Sequence, residues 1–198
     1  QVVAMTTAQI AALLTEQVTA LTSEQINNLA SDDLQALTTA QIRALSTSQI
    51  SNLSAAQFAL LETRDIAALS TAQVPSLSTD AIVALTTAQA PALTSAALNV
   101  LTSDQLAVLE TRDLAAMSTA QISKLATAQL VLLSTDQVVG LGTAQVAAMT
   151  TTQAAALTSG QINNMASDDL QALTTAQVKA LTTYQIANLS AAQFALLE

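Results

Sequence analysis

Two pairs of adjacent carboxylates, Asp32-Asp33 and Asp168-Asp169, are the first residues that could do chemistry. Neighbouring acids can work as general acid and base, or hold a cation. Hydroxyls are the second candidate, since a Ser or Thr becomes a nucleophile when a base takes its proton. The chain contains no His and no Cys. That removes a Ser-His-Asp triad, imidazole and thiolate metal ligands, and any disulfide framework. Few other groups stand out. Tyr184 is the sole Tyr and is expected on the surface, whereas Phe58 and Phe194 are expected in the core. Glu62-Thr63-Arg64-Asp65 recurs as Glu110-Thr111-Arg112-Asp113. Each tetrad is expected to form a local ion pair, worth under about 1 kcal/mol if exposed. No catalytic, cofactor-binding or metal-binding residue is assigned, no cofactor is expected, and the chain is expected not to be an enzyme.

The elements that hold these groups follow a period of eight. From Met5 to Leu197 there are 25 positions spaced by eight residues, and every one is Leu or Met. Such strict occupancy marks a buried position. With that residue as position 1, the consensus is Leu-Thr-Thr-Ala-Gln-Ile-Ala-Ala. Position 3 is Thr or Ser except at Ala55 and Ala191. Position 5 is mostly Gln, and Asp at 33, 65, 113 and 169. Position 6 is mostly Ile, Val or Leu, and position 8 mostly Ala, with Asn28, Asn52, Asn164 and Asn188 as variants. A longer copy lies over this period. Residues 1–62 match 137–198 at 46 of 62 positions. Residues 1–198 therefore read as a single tandem array of about 25 octads that grew by block copying. It starts in mid-pattern, and both Val2-Val3-Ala4-Met5 and Phe194-Ala195-Leu196-Leu197 are apolar, so it is expected to be a window on a longer array.

One long helix cannot use this period. Eight residues at about 100° each leave the apolar stripe drifting about 80° per octad. A strand fails as well, because positions 6 and 1 are three apart and would point to opposite faces. The remaining reading is all-α: a solenoid of very short helices, one per octapeptide. Thr6…Gln9, Thr22…Gln25 and Thr38…Gln41 have the spacing of a capping box, with the cap at position 2. Acids gather at position 4, as in Glu16, Glu24 and Asp104, where the helix dipole favours them. Asp32-Asp33 then reads as first-turn charge behind a Ser31 cap. The stricter hydroxyl at position 3, and Pro75 and Pro91 at position 7, favour a cap at position 3 instead. Both registers stay open. A one-turn helix is unstable alone, so successive units must stack.

The charge of −9 and five scattered basic residues give no footprint for nucleic acid or an anionic membrane surface. No run approaches the roughly 20 apolar residues of a membrane span. Self-association, end-to-end or lateral, is the expected partner relation.

Leu37-Thr38-Thr39-Ala40-Gln41-Ile42 and Leu173-Thr174-Thr175-Ala176-Gln177-Val178 resemble the octapeptide arrays of very large repetitive secreted or surface proteins of Gram-negative bacteria, some of them adhesin-like. The resemblance implies an extracellular or cell-surface scaffold. It transfers no functional residue, and no calcium-binding nonapeptide accompanies it. The expected function is a non-catalytic fibre, sheath or adhesin stalk. The alternatives are a solenoid that binds a peptide or glycan, and a repetitive Thr surface that orders ice.

Overall fold

The computed structural model describes residues 4–197; Gln1, Val2, Val3 and Glu198 lie outside the described residues. Among the described residues there are 22 α-helices of four to six residues, three short 3-10 helices and no strand. The cap register is position 2. At the first helix, Thr7–Ala11, the Thr6 hydroxyl accepts the Gln9 N–H at 3.3 Å, and Gln9 Oε1 accepts the Thr6 N–H at 2.8 Å. The same reciprocal pair starts Ser23–Asn27, Thr39–Ala44 and Thr175–Ala180. Position 3 is thus the first helical residue, and acids at position 4 sit in the first turn. The next cap ends each helix. A cap residue takes extended backbone, as Thr22 does at φ −73° and ψ 157°, and an extended residue cannot continue a helix. Caps spaced by eight therefore restrict every helix to little more than one turn.

The expectation of one α-helix in every octad needs correction. The octads containing Pro75 and Pro91 form only the 3-10 helices Val74–Ser76 and Ala90–Ala92. Position 7 normally donates its N–H to the position 3 carbonyl, and proline has no N–H to give. The capping hydrogen bonds survive: the Ser70 N–H still donates to Gln73 Oε1 at 2.8 Å. The prolines thus shorten the helix without moving its start. A 3-10 helix, Ala195–Leu197, also lies at the last described residues.

The chain divides into two compact units, Gln1–Val108 and Leu109–Glu198. Within the first, Thr15–Thr19 packs on Thr39–Ala44, which packs on Thr63–Ala68. Within the second, Thr127–Leu130 packs on Thr151–Ala156, which packs on Thr175–Ala180. Each partner lies three octads away, so the chain winds and successive turns stack. Stacking supplies the stability that a single turn lacks.

Positions 6 and 1 form the core. Every position 6 from Ile10 to Leu170 is at most 2% exposed, and every position 1 from Leu29 to Leu181 at most 9%. Their exceptions reveal a direction. Met5, Leu13 and Leu21, at position 1 of the first octads, are only half-buried, while Ile10, Val18 and Ile26 at position 6 are fully covered. At the other end Val178 and Ile186 are half-buried and Phe194 is 55% exposed. Position 6 therefore faces the following turn and position 1 the preceding one. Small residues at position 8 suit this stacking: a Cβ added at Gly140 would lie 3.1 Å from Thr111 Cβ.

Candidate functional site: a glutamine staple between turns

The residue that joins the turns is the Gln at position 5. Gln153 is 2% exposed, and its two amide atoms have separate tasks. Oε1 accepts the Thr150 N–H at 2.7 Å, which completes the cap of its own helix. Nε2 donates to the carbonyls of Ile122 and Leu125, each at 2.7 Å, 31 and 28 residues earlier. The acceptors are position 6 of one octad and position 1 of the next, the stretch where a helix has just ended. The position 6 carbonyl also accepts the N–H three residues on, as Ile122 does from Leu125 at 3.1 Å, so it is the position 1 carbonyl that depends on the staple.

This staple recurs through both units. Gln41 donates to Ile10 and Leu13, Gln73 to Ile42 and Leu45, and Gln105 to Val74 and Leu77. Gln145 reaches Leu114 and Met117, Gln161 reaches Leu130 and Leu133, and Gln185 reaches Ala154 and Leu157. Gln145 does so although its cap residue is Gly142, so the staple does not require the hydroxyl. Only an amide can both accept from the cap and donate to two carbonyls; a carboxylate has no hydrogen to give. Glu would serve a capping box equally well, and its charge would suit a helix N-terminus. Yet position 5 holds 18 Gln, four Asp, two Ala and no Glu between residues 9 and 193. That bias is the signal in the sequence, and the capping explanation conceals it.

The candidate residues from the sequence are dispersed. Each acid pair is split: Asp32 and Asp168 are exposed, whereas Asp33 and Asp169 are buried at 7% and 5%. Their helices are capped at Ala30 and Ala166, which corrects the expected Ser31 cap; Ser31 is the first helical residue. Burial raises the Asp169 pKa above its ordinary value, with the Asp168 charge adding to the effect. Tyr184 is 68% exposed, as expected. Phe58 is fully buried, but Phe194 is 55% exposed, since no turn among the described residues follows to cover its position 6.

Both Glu-Thr-Arg-Asp tetrads form their ion pairs. Arg64 Nε lies 2.9 Å from Glu62 and Arg112 Nε 2.5 Å from Glu110. The arginines stand 3.8 and 3.9 Å from Asp65 and Asp113, which are sealed from solvent.

Single-turn helices, stacked directionally and pinned by a periodic side chain, define a tandem-repeat protein. Six segments, 1–31, 26–61, 58–95, 106–143, 139–167 and 162–198, match the model of the ALTTAQ repeat. Together they cover most of the sequence, and the chain belongs to the ALTTAQ repeat family. Each match spans about four octads, close to the 28 to 31 residues bridged by one staple. No curated protein matches the sequence. Among the described residues, no helix is long and apolar enough to cross a membrane.

Proposed function

We propose that this chain is a non-catalytic structural repeat, an element of an extracellular fibre, sheath or adhesin stalk that lengthens by adding turns. The observation that carries this reading is the directional staple. Gln9, Gln17 and Gln25 hold their own caps in the same way as the interior glutamines, and the staple register leaves their Nε2 groups for a turn before the described residues. The last octads present the opposite half: apolar Val178, Ile186 and Phe194 at position 6. A recess of about 260 Å³ beside them is lined by Leu173, Val178, Leu196 and Leu197 among others. The two faces complement each other in donors, acceptors and apolar side chains. A second copy placed head-to-tail would repeat the interior joint, and such a heterologous contact builds an open filament wherever its rotation does not close a ring. The resemblance to repetitive surface proteins supports an extracellular setting.

Sedimentation velocity over a concentration series, with electron microscopy of the same sample, tests this. Linear oligomers that lengthen with concentration, and that shorten in a Q9E/Q17E/Q25E variant, are the expected result. A monomer at every concentration would overturn self-assembly of this chain. A saturable peptide or glycan ligand bound by that monomer would move the assignment to a binding module.

A further inference from the structure

Four octads place Asp where the staple should be: Asp33, Asp65, Asp113 and Asp169. Each also lacks the cap hydroxyl at position 2, which is Ala30, Glu62, Glu110 or Ala166. Asp65 and Asp113 are 0% exposed. Oδ1 of Asp65 and both carboxylate oxygens of Asp113 are buried without a hydrogen-bond partner. Arg64 does not repair this, because it stands 3.8 Å from Asp65 while it pairs with Glu62 at 2.9 Å. Asp65 Oδ2 accepts only the Glu62 N–H, at 3.3 Å.

The staple register supplies the acceptors that a protonated Asp65 would meet. Interior glutamines such as Gln41 and Gln73 donate to carbonyls 31 and 28 residues earlier. Counted back from Asp65, these belong to Leu34 and Leu37. Ionised carboxylate and carbonyl oxygens repel each other, whereas a carboxylic acid has one hydrogen to give. We propose that Asp65 is a proton-binding staple, which takes up a proton and donates it in a hydrogen bond to the preceding turn, so that this joint tightens in acid and loosens near neutrality.

Burial independently raises the pKa of Asp65, against the lowering influence of the neighbouring arginine. The other charged groups around Asp65 are few. Its own helix carries Glu62 as cap and Arg64. Thr39–Ala44, packed against it, carries Arg43, which is exposed. Ala90–Ala92, also packed against it, carries none.

The sign follows. A carboxyl with a raised folded-state pKa gives its full stabilisation below the unfolded value, and loses it as pH rises through the folded value. The decisive experiment uses the full chain, D65Q, and a D80N control that removes one exposed charge. Denaturation midpoints are followed from about pH 4 to pH 7, and the Asp65 carboxyl is titrated by carbon NMR. The wild-type midpoint is expected to fall over this range more steeply than that of D65Q. The advantage of D65Q should grow towards pH 7, D80N should keep the wild-type slope, and Asp65 should titrate above its ordinary 3.8. A D65Q slope equal to wild type, or titration of Asp65 at or below 3.8, would overturn the proposal. If D65Q does not fold, the wild-type titration decides alone.

Discussion

Replacing Gln153 with Glu separates the two tasks of the staple. The substitution keeps Oε1 and hence the cap bond from the Thr150 N–H at 2.7 Å. It replaces the Nε2 donor, so the carbonyls of Ile122 and Leu125 lose bonds of 2.7 Å each. A buried acceptor left unsatisfied costs about 1–3 kcal/mol. Leu125 is such an acceptor; Ile122 still accepts the Leu125 N–H at 3.1 Å, so its lost second bond adds only about 0.5–1.5 kcal/mol. The new charge at a helix N-terminus returns at most about 1 kcal/mol. Residue 153 is 2% exposed, so the carboxylate also loses hydration. The expected loss at neutral pH is about 2–5 kcal/mol, a drop in melting temperature of roughly 5–20 °C. Far-UV circular dichroism during thermal and urea denaturation measures it, and acidification should recover part of the loss as the introduced carboxyl regains a hydrogen to donate. If Gln153 were only a capping-box residue, Q153E would match the wild type or exceed it. Stability within about 0.5 kcal/mol of wild type would refute the staple, because surface-like substitutions fall in that range.

The cap register makes a paired prediction: Thr174→Ala should cost about 1 kcal/mol and Thr175→Ala less than about 0.5 kcal/mol, read from urea midpoints. Phe58→Ala should cost about 3–5 kcal/mol by the same measurement, because Phe58 is fully buried between turns. Pro75→Ala restores an N–H at position 7; hydrogen exchange at residue 75 should become slow, with stability changing by no more than about 1 kcal/mol. Asp169→Asn removes a buried charge whose pKa is raised, so it should stabilise the chain at pH 7 relative to wild type and lose that advantage towards pH 4, as thermal melts over this range would show.

Much of this fold is legible in the octad. The period of eight excludes a long helix and a strand, and the Thr6–Gln9 type of spacing puts a helix start in each repeat. Leu or Met at position 1 marks the core. The winding is not legible in the same way. Whether one octad meets the third or the fourth after it depends on how far the chain turns at each extended cap, and small backbone angles there accumulate. The staple is half visible. Gln41 satisfies a capping box from local sequence alone, while its bonds to Ile10 and Leu13 exist only after the chain has wound back. The preference for Gln over Glu is its only trace in the sequence. Position 3 misleads for a related reason: its hydroxyls begin the helices at N1, and the strictness of their occurrence suggests a cap. Ser31 shows the same point, since its cap is Ala30.

Side-chain amide hydrogen exchange in protein labelled with nitrogen-15 glutamine tests the central claim most directly. Gln9 and Gln17 make the same cap bonds as the interior glutamines without a staple to a described turn, so in dilute, monomeric protein they serve as internal references. The account predicts slow exchange of the Nε2 hydrogens of Gln41, Gln73, Gln105, Gln153 and Gln185, and fast exchange at Gln9 and Gln17. Equal, fast exchange at all of them in the folded protein would mean that the glutamines do not bind the preceding turn.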